Sequence, residues 1–156
     1  MAPTPVAPTL TFVSRLEAPA DRVWSHATSM AGVNRELAPY LRMTYPPGME
    51  TLSEDKGRLG EPVFTSIILA FGALPVDRWK LILVEVGPGR RFVEQSRVLS
   101  MKLWRHERTV EERGAGCTIT DTLTFAPRLP FTRTALTTLV RALFGHRHRF
   151  LERTFG

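Results

Sequence analysis

The stretch from Arg91 to Phe125, RFVEQSRVLSMKLWRHERTVEERGAGCTITDTLTF, constrains the fold most, because its side chains alternate through three successive segments. Successive side chains of a strand point to opposite faces, so every second residue shares one face. That face carries Phe92, Glu94, Ser96 and Val98, then Trp104, His106, Arg108 and Val110, then Ile119, Asp121, Leu123 and Phe125. The pattern predicts a ribbon of three antiparallel strands. A face built only for packing would be apolar throughout. This one interleaves aromatics with two carboxylates, a histidine and an arginine, which is the usual lining of a ligand pocket.

The turns fix a register. A hairpin loop from Arg113 to Gly116 sets Glu112 opposite Cys117. It then pairs Val110 with Ile119, Arg108 with Asp121, His106 with Leu123 and Trp104 with Phe125. Directly opposed residues have Cβ atoms about 4.5–5.5 Å apart, so Arg108 and Asp121 are within reach of a salt bridge. A turn at Leu99 to Met101 places Glu94 opposite His106 and Phe92 opposite Arg108. A slip of one residue would reverse both faces. Two readings of the charged residues stay open: ion pairs that serve only the fold, or groups that orient a ligand.

Elsewhere the chain predicts a strand over Thr9 to Glu17, a short helix opened by Ala18-Pro19-Ala20-Asp21, and a second helix over Met30 to Leu37. A short strand over Leu41 to Tyr45, a loop over Met49 to Glu61, and strands over Pro62 to Phe71 and Val76 to Val86 follow. Gly87-Pro88-Gly89 is a turn. From Phe131 the period changes to 3.6, with Phe131, Ala135, Leu136, Leu139, Val140, Leu143, Phe144, Phe150, Leu151 and Phe155 along one side of a long helix. Gly145 costs that helix about 1 kcal/mol against Ala and is expected to mark a kink or a close contact. Strand, two short helices, more strands and a long helix describe an α+β domain whose sheet buries one face under the last helix. Residues 1–8, rich in proline, read as a flexible lead-in, and residues 9–156 as a single domain.

With 156 residues and 43% hydrophobic content the chain can bury one substantial core. No apolar run approaches the roughly 18 residues of a membrane helix. The N-terminus lacks the charged and apolar regions of a signal peptide. The lone Cys117 rules out an internal disulfide and suits a reducing compartment, so a cytoplasmic location is expected. The net charge of +6 rests on eighteen arginines and three lysines and permits an anionic partner without identifying one. No nucleic-acid motif is present. A helix points His146 and His148 in different directions, so no metal is expected. Arg141, Arg147, Arg149 and Arg153 with His146 and His148 make the last helix basic, read as a solvated outer face. Contact with an anionic membrane surface or acidic partner is its alternative use.

Several segments resemble a known superfamily in order and spacing: Leu16-Glu17-Ala18-Pro19-Ala20-Asp21-Arg22-Val23-Trp24, Arg42-Met43, Phe92 with Glu94, Trp104-Arg105-His106-Glu107, Gly116-Cys117-Thr118-Ile119-Thr120-Asp121 and Phe144-Gly145-His146-Arg147-His148. The chain resembles, over nearly its whole length, the START, polyketide cyclase and birch-pollen-allergen (SRPBCC) superfamily. Leu99-Ser100-Met101 departs from the Gly-Pro-Phe common in the similar bacterial branch. The resemblance implies the helix-grip fold: a curved antiparallel sheet of about six to seven strands, two short helices after the first strand, and a long C-terminal helix across the concave face. It also implies a deep cavity for a lipid, sterol-like or polyketide-like molecule.

The expected function is therefore binding of a small hydrophobic ligand, as carrier or sensor, without a cofactor. Phe92, Trp104, Leu123 and Phe125 would form the apolar wall, with Glu94, Ser96, His106, Arg108 and Asp121 as polar groups beside it. Leu136, Leu139, Val140 and Leu143 would close the cavity from the helix. A cyclase or dehydratase using His106 as acid/base is the alternative, because its unperturbed pKa lies nearest neutrality. A regulatory module acting through the basic helix is a third. The oligomeric state is left open.

Overall fold

A computed structural model describes Ala7, residues 9–52 and residues 59–156. The expected flexible lead-in falls almost entirely outside the described residues. The elements are β1 (Thr9–Leu16), α1 (Ala20–Ala27), α2 (Met30–Leu37), β2 (Leu41–Met43), β3 (Pro62–Ala70), β4 (Leu74–Val86), β5 (Arg90–Gln95), β6 (Arg97–Val98), β7 (Met101–Arg113), β8 (Gly116–Pro127) and α3 (Arg133–Phe155). Seven strands follow the order β1-β8-β7-β5-β4-β3-β2 in one antiparallel sheet, and β6 pairs with β4 off that path. This is the helix-grip α+β fold.

The ribbon pairs in the expected register. Arg108 lies opposite Asp121 and Phe92, and His106 opposite Leu123 and Glu94. The first of its strands is interrupted at Ser96, because β5 pairs with both β4 and β7 whereas β6 returns to β4. Register shifts of the bulge type interrupt the β3–β4, β4–β5 and β7–β8 pairings. Such shifts bend and twist a strand, and here they accompany a sheet curled around its concave face.

The long helix begins at Arg133, not at Phe131. Pro130–Thr132 form a 3-10 turn, and Phe131 is exposed there, as is Ala135 in the first turn of the helix. Their apolar spacing therefore does not mark a buried stripe. α3 runs unbroken through Gly145, where a Cβ would meet only the Arg149 side chain, at 3.4 Å.

The helix rests on the β1–β8 side of the sheet. Val140 and Phe144 pack with Trp104, Leu123 and Phe125, while Leu151 and Phe155 pack with Leu16, Val23 and Ile119. The Phe155 carbonyl accepts the Glu17 and Ala18 N–H groups at 3.0 Å each, tying the helix end to the corner after β1. The β7-β5-β4-β3 side carries a separate apolar cluster that includes Met30, Phe64, Leu81, Leu83 and Phe92. α1 and α2 cross so closely that a Cβ on Gly32 would stand 2.0 Å from the His26 carbonyl oxygen. That approach carries Glu36 of α2 under the sheet, where it is fully buried.

Candidate functional site

A cavity of about 720 Å³ lies between the uncovered half of the sheet, α2 and α3. Its wall is mostly apolar: Met30, Leu37, Leu81, Leu83, Phe92 and Trp104 from α2 and the sheet, and Leu136, Leu139, Val140 and Leu143 from the helix. Tyr40, Phe71, Val76 and Leu139 also line it, yet each is more than half-exposed or close to it, so they stand at its mouth. Phe71 is held at a φ of 53°, a left-handed conformation that a bulky residue rarely adopts.

Of the residues expected to form the pocket, Phe92, Glu94, Trp104, His106, Leu136, Leu139, Val140 and Leu143 face this cavity. Leu123 and Phe125 do not. They point to the concave side but lie beneath Val140 and Phe144, because the helix covers β8. Ser96, Arg108 and Asp121 also sit off the wall. Ser96 donates to Glu94 Oε1 at 2.6 Å and accepts the Ile82 N–H at 3.1 Å.

Arg108 and Asp121 belong to a buried charge network behind the wall. Arg108 donates Nε–H and Nη2–H to the two Asp121 oxygens, each at 2.7 Å. It also donates Nη1–H and Nη2–H to Glu36, at 3.1 and 2.9 Å. Asp121 further accepts His106 Nε2–H at 2.6 Å and His148 Nε2–H at 2.7 Å. Glu36 further accepts Arg147 Nε–H and His26 Nε2–H, each at 3.0 Å. Ser14 shares a 2.7 Å hydrogen bond with His148 Nδ1 and donates to Glu152 at 2.8 Å. Arg108, Asp121 and Glu36 are all inaccessible to water.

The titrations follow from this wiring. Burial alone would raise the Glu36 and Asp121 carboxyls, but Arg108 overcomes it, with Arg147 adding to the effect on Glu36, and holds both well below the usual carboxylate range. Burial likewise opposes ionisation of Glu94, which His106, Ser96 and Trp79 nevertheless keep low. His106 has Asp121 on Nε2 and Glu94 Oε2 at 3.6 Å from Nδ1. The ionised Asp121 only accepts, so Nε2 carries a proton, and the Glu94 charge favours a second one on Nδ1. Burial would lower its pKa, yet the Asp121 and Glu94 charges raise it above the ordinary histidine value.

A pH dependence follows. A raised folded-state pKa gives stability fully present below the unfolded value of about 6.5 and lost as pH rises through the folded value. Denaturant midpoints measured from pH 6 upward should fall on the alkaline side, and His106→Gln should flatten that fall. An equal fall in the variant would count against a charged His106.

Two expectations need correction. Arg147 and His148 are not on a solvated face of the last helix; both are buried, one on Glu36 and the other on Asp121. His146 instead reaches the Ala38 carbonyl oxygen at 2.7 Å. Glu36 and Ser14 were not singled out from sequence. Ser14 was legible in principle, as an inward position of β1 between Phe12 and Leu16.

A family model described as "Domain of unknown function (DUF8410)" matches residues 14–155. No curated protein matches. Among solved structures, a protein from Chromobacterium violaceum has a TM-score of 0.68 at 16% identity, covering 93% of this chain and 95% of its own. A START superfamily protein from Mycobacterium smegmatis has a TM-score of 0.66 at 8% identity, covering 94% and 96%. The Zhui aromatase/cyclase from Streptomyces sp. R1128 has a TM-score of 0.66 at 13% identity, covering 92% and 90%. At these identities the likeness establishes the shared fold, as the sequence resemblance implied.

Proposed function

We propose that this chain, which belongs to the DUF8410 family, binds a small hydrophobic molecule in the cavity under α3, as a carrier or sensor. The observation that carries this reading is the cavity itself. Its 720 Å³ falls within the roughly 300–1,000 Å³ typical of small-molecule sites, and its wall is apolar with few polar groups. Exposed Tyr40, Phe71, Val76 and Leu139 at the mouth give an apolar ligand a route in.

The likeness to an aromatase/cyclase makes catalysis the alternative. The wiring of His106 favours binding. Its Nε2–H is committed to Asp121, and the Asp121 and Glu94 charges favour the imidazolium, which has no lone pair to take a proton from a substrate.

Native mass spectrometry after extraction, with titration of a fluorescent fatty acid, tests the reading. Uptake of one equivalent is expected. Leu143→Trp, which fills space at the helix side of the cavity, should weaken uptake at least about tenfold while near-UV circular dichroism keeps its folded signature. A wild-type protein that takes up no apolar probe would overturn the reading.

A further inference from the structure

Resting on the binding reading above, we propose that the cavity selects apolar molecules that bring a neutral hydroxyl, an alcohol or a phenol, as a hydrogen-bond donor to Glu94 Oε2. The two oxygens of Glu94 are used unequally. Oε1 accepts Trp79 Nε1–H at 2.5 Å and Ser96 Oγ–H at 2.6 Å. Among the described residues the charged donor within 4 Å of Oε2 is His106 Nδ1, at 3.6 Å, beyond the reach of a normal hydrogen bond. Among the described residues the one buried side-chain N or O atom without a partner is Trp104 Nε1, so Oε2 retains accessible surface. Glu94 lines the cavity, and its side chain is 9% exposed. Oε2 is therefore an ionised acceptor open to the interior of an apolar chamber. Such an oxygen is costly to leave unmatched and strong when matched by a donor.

On the inner wall, His106 Nε2–H and Arg147 Nε–H are committed elsewhere, whereas Trp104 Nε1–H and the Arg147 Nη groups make no hydrogen bond among the described residues. His106 Nε2–H goes to Asp121. Arg147 gives Nε–H to Glu36 and lays its guanidinium over the Phe144 ring at 4.7 Å. Asp77, nearer the mouth, takes the Ser100 hydroxyl and N–H.

Charge selects the kind of donor. Glu36, Glu94 and Asp121 are matched by Arg108, Arg147 and the His106 imidazolium. A neutral hydroxyl leaves that match intact. An ammonium would bring an extra positive charge into a low-dielectric chamber, and a carboxylate an extra negative one beside Glu94, each at a desolvation cost.

The test is a series on the one-ring-pair scaffold: biphenyl, 4-phenylphenol, its methyl ether, 4-biphenylcarboxylate and 4-phenylbenzylamine, measured by calorimetry near pH 7. 4-Phenylphenol should bind at least about tenfold tighter than biphenyl and the methyl ether, consistent with a hydrogen bond to a charged acceptor. The carboxylate and the amine should bind more weakly than the phenol. In Glu94→Gln the amide oxygen keeps Trp79 and Ser96 while an NH2 replaces Oε2, so the phenol preference should fall to about one. Equal affinities for phenol and methyl ether in the wild type, or tightest binding by the carboxylate, would overturn this inference while leaving the binding reading standing. No binding of any member would overturn the binding reading instead. If Glu94→Gln does not unfold cooperatively, the wild-type series decides alone.

Discussion

Arg108→Met should lower the thermal midpoint by roughly 10–20 °C, the largest loss expected from any single replacement on the ribbon. Arg108 is inaccessible to water and bridges two carboxylates, Asp121 on the facing strand and Glu36 on α2. Methionine fills a similar volume but leaves Asp121 and Glu36 without the guanidinium between them. Removing one partner of a buried ion pair costs about 3–5 kcal/mol, a large share of the roughly 5–15 kcal/mol by which domains are stable. The matched control is Arg105→Met on the outward face of the same strand, for which a shift of a few degrees at most is expected. Scanning calorimetry reads both. A drop below about 5 °C for Arg108→Met would mean that the network relaxes or takes in water.

The second large effect is acid unfolding. Glu36, Asp121 and Glu94 all have folded-state pKa values below their unfolded values. For such groups the stabilisation is fully present above the unfolded pKa, near 4, and is lost as pH falls through the folded one. Below pH 4 the unfolded chain binds up to three more protons than the folded chain through these groups. Each proton contributes about 1.4 kcal/mol per pH unit, so stability should fall by up to about 4 kcal/mol per unit. A domain of ordinary stability should then unfold within about two to three units of pH 4. Urea midpoints from pH 6 down to pH 2 measure the slope. A slope near one proton would mean that two of the three carboxylates are not held below their unfolded pKa values.

Four of the five polar positions read from the ribbon, Glu94, His106, Arg108 and Asp121, were placed correctly relative to their partners, and the reason is local. Strand alternation and two turns set the register of β5, β7 and β8, so the pairings Arg108–Asp121 and Glu94–His106 could be written down from residue order. Their roles could not. The pairing alone leaves Arg108 with one carboxylate, and only the arrival of Glu36 makes it a two-sided bridge. Leu123 and Phe125 share the alternation of Trp104 and His106, yet the helix seals the former pair and leaves the latter facing the cavity.

By itself, then, the sequence determined the order of elements, the register of the central ribbon and the identity of the face that turns inward, because each is fixed by contacts between near neighbours and by a period of two. Tertiary structure alone decided which part of that face becomes cavity wall and which becomes core. The same is true of Arg147, His148 and Ser14, whose roles depend on how α3 is rotated about its axis and where it lies on the sheet. Consecutive helix residues differ by about 100° in direction, so periodicity names a stripe without saying which polar residues at its border turn inward. Glu36 meets Arg108 across 72 positions of chain and Arg147 across 111. Those meetings arise only when α2 and α3 close on the curled sheet and the buried charges have no other partners to find.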